Sequence, residues 1–444
     1  MATMRLTVNI TKWHIFRLSI PIFFSNLAIP LVGLVDTSLM GHLGNEKYLI
    51  AVSISTTFLT MILWSFGFLR MGTVGLISQS MGKGDYRELS NILIRNITIA
   101  IFIAVLIIVF KPLLLNILSQ IFVTSLETKN LISDYVSIRI FSAPAELIFY
   151  VLVGFYLGIQ RTSISSLLVL TSSLLNIIFS IYFVRELNLN VSGVALGTFL
   201  AFFITTIISS VYTYYFIIKR FKVIPRFNSK IIFNYKKLFR LFNINFNIFI
   251  RTILLTFSFF WVTYLSSTLG EEYVAINSIL IQLILISSFF LDAYAFSTEG
   301  IIGHSIGRKS LKMFLSSVKN SIILSFTTGL IISLIFLFSA KEIINLITNI
   351  EFLRYLSYKY LLWVIIIPPI ASFCYQLDGI FIGATQTKEM RNSMIASVVI
   401  YITLSIFLTQ ELHNYGVWFS LLLFMGLRAS TLHFYFPNIL KKFK

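Results

Sequence analysis

The chain has 444 residues, of which 57% are apolar and only 12% charged, and its net charge is +18 at neutral pH. A soluble domain carries roughly 25% charged residues to cover its surface, so the composition excludes a water-soluble globule and makes lipid the solvent. The positive excess then reads as basic loops that set topology and meet anionic headgroups, not as a nucleic-acid surface. The single cysteine, Cys374, excludes an intrachain disulfide and a cysteine-rich metal site.

Charge-poor stretches predict twelve spans. In chain order they are Trp13–Met40, Tyr48–Met81, Leu89–Leu118, Leu131–Ile159, Thr162–Val184 and Val191–Ile218, then Leu238–Leu269, Tyr273–Ile306, Phe314–Ala340, Leu353–Gly383, Asn392–Gln410 and Val417–Phe436. About 20 apolar residues cross a bilayer as a helix. Barrel strands would alternate every second residue, and these runs do not. The first run starts near Trp13 with no isolated small-residue cleavage site after it, which predicts a retained span and not a leader.

Basic residues flank alternate ends of these spans. Arg5 and Lys12 precede the first, with Arg17 in its opening turns; Lys83 and Arg87 follow the second; Arg161 follows the fourth. The segment between spans six and seven holds Lys219, Arg220, Lys222, Arg226, Lys230, Lys236 and Lys237, with Arg240 at the start of span seven. Arg308, Lys309 and Lys312 follow span eight, Lys388 and Arg391 follow span ten, and Lys441, Lys442 and Lys444 end the chain. All fall on one side of a twelve-span arrangement, which predicts both termini in the cytoplasm of an inner-membrane protein. The expected division is a first lobe over residues 1–218, a basic cytoplasmic linker over 219–237 and a second lobe over 238–444.

An internal repeat supports two halves. GLISQSMGK at Gly75–Lys83 returns as GIIGHSIGR at Gly300–Arg308, an offset of 225 residues (300 minus 75). The same offset pairs Pro144 with Pro369, Gly154 with Gly379, Gly158 with Gly383 and Thr162 with Thr387. Two six-helix lobes with the same direction form a parallel repeat, an arrangement that commonly builds a transport cavity between its halves.

Ionisable residues inside spans are expensive, at least about 2.5–3.5 kcal/mol at the bilayer centre, and are the first functional candidates. Asp36 follows an uncharged run from Leu18 to Val35, with Asn26, Pro30, Gly33, Thr37 and Met40 at helical spacings around it. Desolvation in an apolar bundle penalises the charged form, the condition a proton carrier needs; the plainer reading is a structural acid paired with a base such as Arg70. Pro21 and Pro30 each remove a backbone donor and mark a candidate hinge in the first helix. Ser172, Ser173, Asn176 and Ser180 in span five, with Gly193, Gly197 and Thr198 in span six, form either a polar wall facing Asp36 or a small-residue packing seam. In the second half Asp378, Asp292 and Glu299 make a candidate polar site, with Arg251, Arg70, Arg139 and Arg428 as possible charge partners. Aromatic clusters such as Phe257, Phe259, Phe260, Trp261 and Tyr264 suit either lipid contact or a wall for organic cations.

The chain has no Walker P-loop, since MGKGD at Met81–Asp85 lacks its frame, and no HExxH motif. It is expected to be no enzyme, to need no cofactor, and to draw energy from an ion or substrate gradient.

Four strings in order, LVGLVDTSLMGHLG, FGFLRMGTVGLISQSMGKGD, SSFFLDAYAFSTEGIIGHSIGR and LDGIFIGATQTKEMRNSM, resemble the MATE family of multidrug and toxic compound extrusion proteins, closest to its DinF-like branch. The resemblance covers essentially the whole chain. It implies an all-α integral membrane protein with twelve transmembrane helices in two pseudo-symmetric six-helix lobes around a central cavity. It implies an antiporter that exports small organic, often cationic, drugs or metabolites in exchange for H⁺ or Na⁺; a monomer is expected. Asp36 matches the family's coupling acid, and Asn176 and Thr198 match its polar partners. Ser180 stands where the branch often has a second acid, so H⁺ is the expected coupling ion and no metal site is firm, with Na⁺ near Asp36 the alternative. Arg251 and Leu254 occupy the region where a related branch has a span-seven acid, while Asp378 resembles that branch's span-ten acid. The competing expectation is a lipid or lipid-linked oligosaccharide flippase of the same exporter superfamily, which would need arginines such as Arg70, Arg139 and Arg251 facing a cavity.

Overall fold

A computed structural model of the chain describes residues 10–121 and 125–443; Arg5 and Lys444 lie outside them. Twelve helices long and apolar enough to cross a membrane are present among the described residues, and no strand is. We label them α1 (Lys12–Gly41), α2 (Glu46–Lys83), α3 (Tyr86–Val109), α4 (Leu126–Gly158), α5 (Thr162–Arg185), α6 (Asn190–Phe221), α7 (Tyr235–Leu269), α8 (Glu271–Gly307), α9 (Leu311–Ile347), α10 (Leu361–Gly383), α11 (Thr387–Leu412) and α12 (Asn414–Phe443). Short helices at Lys111–Ile121, Ser229–Ile232 and Glu351–Tyr358 lie between them. The helices start on local signals. Asn45 caps α2, Asp85 caps α3 by accepting from the Glu88 amide, and Ser310 caps α9 in the same way through Met313. Pro21 and Pro30 lie inside α1, which stays helical across both.

Two of the spans predicted from the sequence are divided in the structure. The span predicted at Leu89–Leu118 is divided: α3 ends at Val109, and Lys111–Ile121 forms a separate short helix. The span predicted from Leu353 likewise begins as the amphipathic helix Glu351–Tyr358, and α10 starts only at Leu361. In both, apolar residues continue across a break that runs of hydropathy do not register.

The chain packs as two compact units. One comprises Phe24–Phe242, with a core around Leu39, Met40, Ala51, Tyr135, Val136 and Val194. The other comprises the segment up to Phe23 together with the chain from Asn243 onward, with a core that includes Leu280, Leu283, Val364, Cys374, Trp418 and Phe424. These limits differ from the sequence-based divisions at 218 and 237. The reason is local packing. Ile10, Ile15 and Leu18 are buried with Tyr294, Ile301 and Met313. Asn320 Nδ2 donates to the Ile10 carbonyl at 2.6 Å, and Ser19 and Ser297 share a hydroxyl contact of 2.9 Å. In the other unit, Arg95 donates to the Ile231 carbonyl at 3.2 Å and Ile232 is buried. Arg95 and Asn320 are themselves 225 residues apart in sequence. The opening segment of each sequence half therefore packs within the unit built by the other half, held at equivalent positions.

The repeat also governs helix contact. At Gly154 a Cβ would sit 2.5 Å from the Arg70 carbonyl; at Gly379 it would sit 2.7 Å from the Ala295 carbonyl. Arg70 and Ala295 are again 225 apart. Glycine is required at both because α4 meets α2, and α10 meets α8, backbone to backbone.

Candidate functional site

Asp36 lies near the end of α1, in the part of that helix that packs with residues 24–242. It is buried, as are Asn26 and Met40, whereas Pro30, Gly33 and Thr37 are exposed. Helices α5 and α6 bring the polar residues beside it. Gly197 sets their distance: a Cβ there would meet the Ser180 amide nitrogen at 2.7 Å and its hydroxyl at 2.8 Å. That approach places Thr198 against Asn176, whose Nδ2 donates to Thr198 Oγ1 at 3.0 Å. Thr198 donates onward to the Val194 carbonyl at 3.1 Å, and the Ser180 hydroxyl reaches Asn176 Oδ1 at 3.4 Å. Ser180 also lies within side-chain hydrogen-bonding reach of Asp36. The polar wall and the packing seam are thus one structure, because the same small residues that close the helices carry the hydroxyls.

The electrostatics of Asp36 are unusual for a buried acid. Among the described residues it makes no ion pair, and its Oδ1 is buried without a hydrogen-bond partner. Arg139, the charged group that acts on it, is already engaged. Its Nη2 donates to Glu146 at 2.8 Å, and Tyr150 donates to the other Glu146 oxygen at 3.0 Å. Tyr135, fully buried, lies in the field of both Asp36 and Arg139. Glu146 is a residue that sequence reading missed, and with it Arg139 proves to belong to a first-half pair, not to the acids of the second half. The signal was present: Arg139 and Glu146 are seven apart, two helical turns on one face.

The second-half candidates are placed differently. Asp378 on α10 is buried, and its Oδ2 accepts from Arg251 of α7 and from Arg428 of α12, the latter at 2.7 Å. Arg428 also lies over the Tyr375 ring, 5.9 Å from its centroid. Asp292 on α8 acts on the same buried neighbourhood, where Cys374 lies in the field of Arg428, Asp378, Arg251 and Asp292. Glu299 is buried seven residues further along α8, about 10 Å away at 1.5 Å rise per residue. A Cβ at Gly383 would meet the Glu299 backbone carbonyl. Among the described residues no group of three or more His, Cys, Asp or Glu side chains is disposed to hold a metal ion.

A MatE family model matches residues 21–182 and again residues 248–408, once in each half. The chain belongs to the MATE family. Its similarity to the DNA damage-inducible protein F of Escherichia coli K12 is 31% identity over 425 residues, 95% of this chain and 90% of that one. A weaker similarity, 27% identity over 40% of each chain, links it to the multidrug export protein MepA of Staphylococcus haemolyticus. The fold matches an outward-facing multidrug resistance MATE family transporter of the MOP superfamily with a TM-score of 0.88, covering 98% of this chain and 97% of that one at 17% identity. The protein is a multi-pass membrane transporter of this family, with its DinF-like branch the nearer likeness, and not an enzyme.

Proposed function

We propose that this MATE protein is a secondary-active antiporter that exports small organic, often cationic, compounds in exchange for H⁺, with Asp36 as the group that loads and releases the proton. The observation that carries the reading is the state of Asp36: a buried carboxylate with one orphaned oxygen, no ion pair and neutral polar neighbours on α5 and α6. A carboxylate locked to a guanidinium could not exchange its proton without breaking a strong pair. One without such a lock can. With Ser180 in place of a second acid, a cation at this site would meet a single carboxylate, which favours H⁺ over Na⁺.

Pro21 and Pro30 bracket the point, between Phe23 and Phe24, where α1 changes the unit it packs with. Protonation of Asp36 would change the contacts of the later part of α1 and let it pivot there. The flippase alternative needs a strongly cationic cavity, and of its candidate arginines Arg139 and Arg251 each pair with an acid within their own unit. The basic linker supports cytoplasmic termini in the inner membrane; the protein is taken to act as a monomer.

The test is dye efflux from proteoliposomes under an imposed H⁺ or Na⁺ gradient. Wild type is expected to respond to the H⁺ gradient. Asp36→Asn is expected to fold and insert but to lose gradient-driven efflux. Full efflux by the variant overturns the coupling role, and a response to Na⁺ alone overturns the ion.

A further inference from the structure

A basic pocket of about 140 Å³ opens at the helix ends of the unit Phe24–Phe242, where the end of α2, the start of α3 and the start of α7 meet. Its charged lining is Lys83, Arg95, Lys237 and Arg240 against Asp85 and Glu88. Both acids are already engaged. Asp85 caps α3 by accepting from the Glu88 amide at 2.9 Å. Glu88 accepts from Arg95 at 2.9 Å and from Lys237 at 2.6 Å. Lys83 and Arg240, both exposed, make no ion pair among the described residues. Arg95 forms the floor, 3% exposed, and its Nε is buried without a partner. Four cations against two satisfied acids leave two positive charges and one buried guanidinium N–H that nothing in the protein uses.

This excess exceeds what structure alone requires. The pairs from Glu88 to Arg95 and Lys237, with the bond from Arg95 to the Ile231 carbonyl, suffice to hold the linker against α3. The second half provides an internal comparison. There the offset of 225 preserves the base, as Arg308, and the helix cap, as Ser310, but replaces Glu88 with Met313 and Arg95 with Asn320. The anchoring of a preceding segment is retained, and the buried guanidinium is lost. The volume also discriminates. At roughly 30 Å³ per water, the pocket suits a group of a few heavy atoms with its oxygens; it is too small for an organic substrate, whose sites run to ~300 Å³ or more. The position is at helix ends, the depth of lipid headgroups, on the side where the basic loops cluster.

We propose that this pocket binds a phosphate group, presented by the headgroup of an anionic phospholipid, with Arg95 donating from the floor and Lys83 and Arg240 closing on it from the mouth. Guanidinium is suited to phosphate oxygens, and basic pockets between membrane helices are suited to anionic headgroups. The inference is independent of the transported substrate and of Asp36.

The experiment uses the full chain, wild type and the double variant Lys83→Gln/Arg240→Gln. Phosphatidylglycerol and phosphatidylcholine retention is measured by native mass spectrometry after release from nanodiscs, and inorganic phosphate binding by calorimetry. Because both exchanged side chains are exposed and unpaired, an unchanged thermal midpoint is expected. Wild type is expected to retain phosphatidylglycerol over phosphatidylcholine, and the double variant to lose at least about tenfold of that preference. Arg308→Gln, at the equivalent base of the second half, is expected to leave it intact. Loss of inorganic phosphate binding with phosphatidylglycerol retention unchanged overturns the lipid assignment. No difference between the double variant and Arg308→Gln in either arm overturns the site.

Discussion

Asp36 and Asp378 are both buried carboxylates in membrane helices, yet their surroundings make them opposites. Asp378 is held by two guanidinium groups on one oxygen, whereas Asp36 has hydroxyl and amide neighbours and an orphaned Oδ1. Breaking a buried pair by removing one partner typically costs about 3–5 kcal/mol, because the remaining charge is left uncompensated. Asp378→Asn is therefore expected to lower thermal stability in detergent by about that amount, while Asp36→Asn costs about 1 kcal/mol or less. The two variants together separate a structural acid from a working one: the first loses stability, the second loses only coupled transport. Fluorescence-monitored unfolding alongside the efflux assay reads both. Equal destabilisation of the two would show that Asp36 has a structural partner.

Helix pairing depends on glycines that act in repeat-related couples. A methyl group at Gly154 or Gly379 would collide with a backbone carbonyl, and backbone cannot rotate aside as a side chain can. Overpacking of this kind costs typically about 1–3 kcal/mol. Gly154→Ala and Gly379→Ala are expected to destabilise by similar amounts within that range, measured as the shift in thermal midpoint. A large effect at one and none at the other would mean that the two contacts are not equivalent. Gly197→Ala is expected to do more than destabilise. It would push α6 away from Ser180 and stretch the Asn176–Thr198 bond, so gradient-driven efflux should fall further than the loss of folded protein accounts for. Glycines at repeat-related positions were visible in the sequence through the offset of 225. The reason for them, carbonyls of Arg70 and Ala295 on the facing helix, was not, because a carbonyl leaves no trace in residue identity.

For the whole molecule, the charge pattern and the packing make separate claims. On the charge pattern we propose that the linker and the termini share one side of the membrane. Cys374 is fully buried, so it contributes little background to thiol labelling in whole cells. Lys222→Cys is expected to resist an impermeant reagent applied from outside, while Lys129→Cys reacts with it. Reversal of that pattern would invert the topology. The packing claim concerns opening segments. Asn320→Ala removes the bond to the Ile10 carbonyl, worth about 1 kcal/mol, and is expected to speed hydrogen exchange over residues 10–20 while leaving α5 and α6 unchanged.

Apolar length was enough to determine twelve helices and the offset of 225 the two related halves, and both the spans and the choice of Asp36 as a candidate follow from the cost of polar groups in hydrocarbon. That cost is a property of single residues and short runs, so it is written along the chain. Which acid is locked and which is unpaired depended on the approach of Arg251 and Arg428 to Asp378 and on Glu146 taking Arg139. The limits of the two units depended on Ile10 and Ile231 packing away from their own halves. Those outcomes join residues that are tens to hundreds of positions apart, where the energy lies in contact geometry, and only the tertiary structure could decide them.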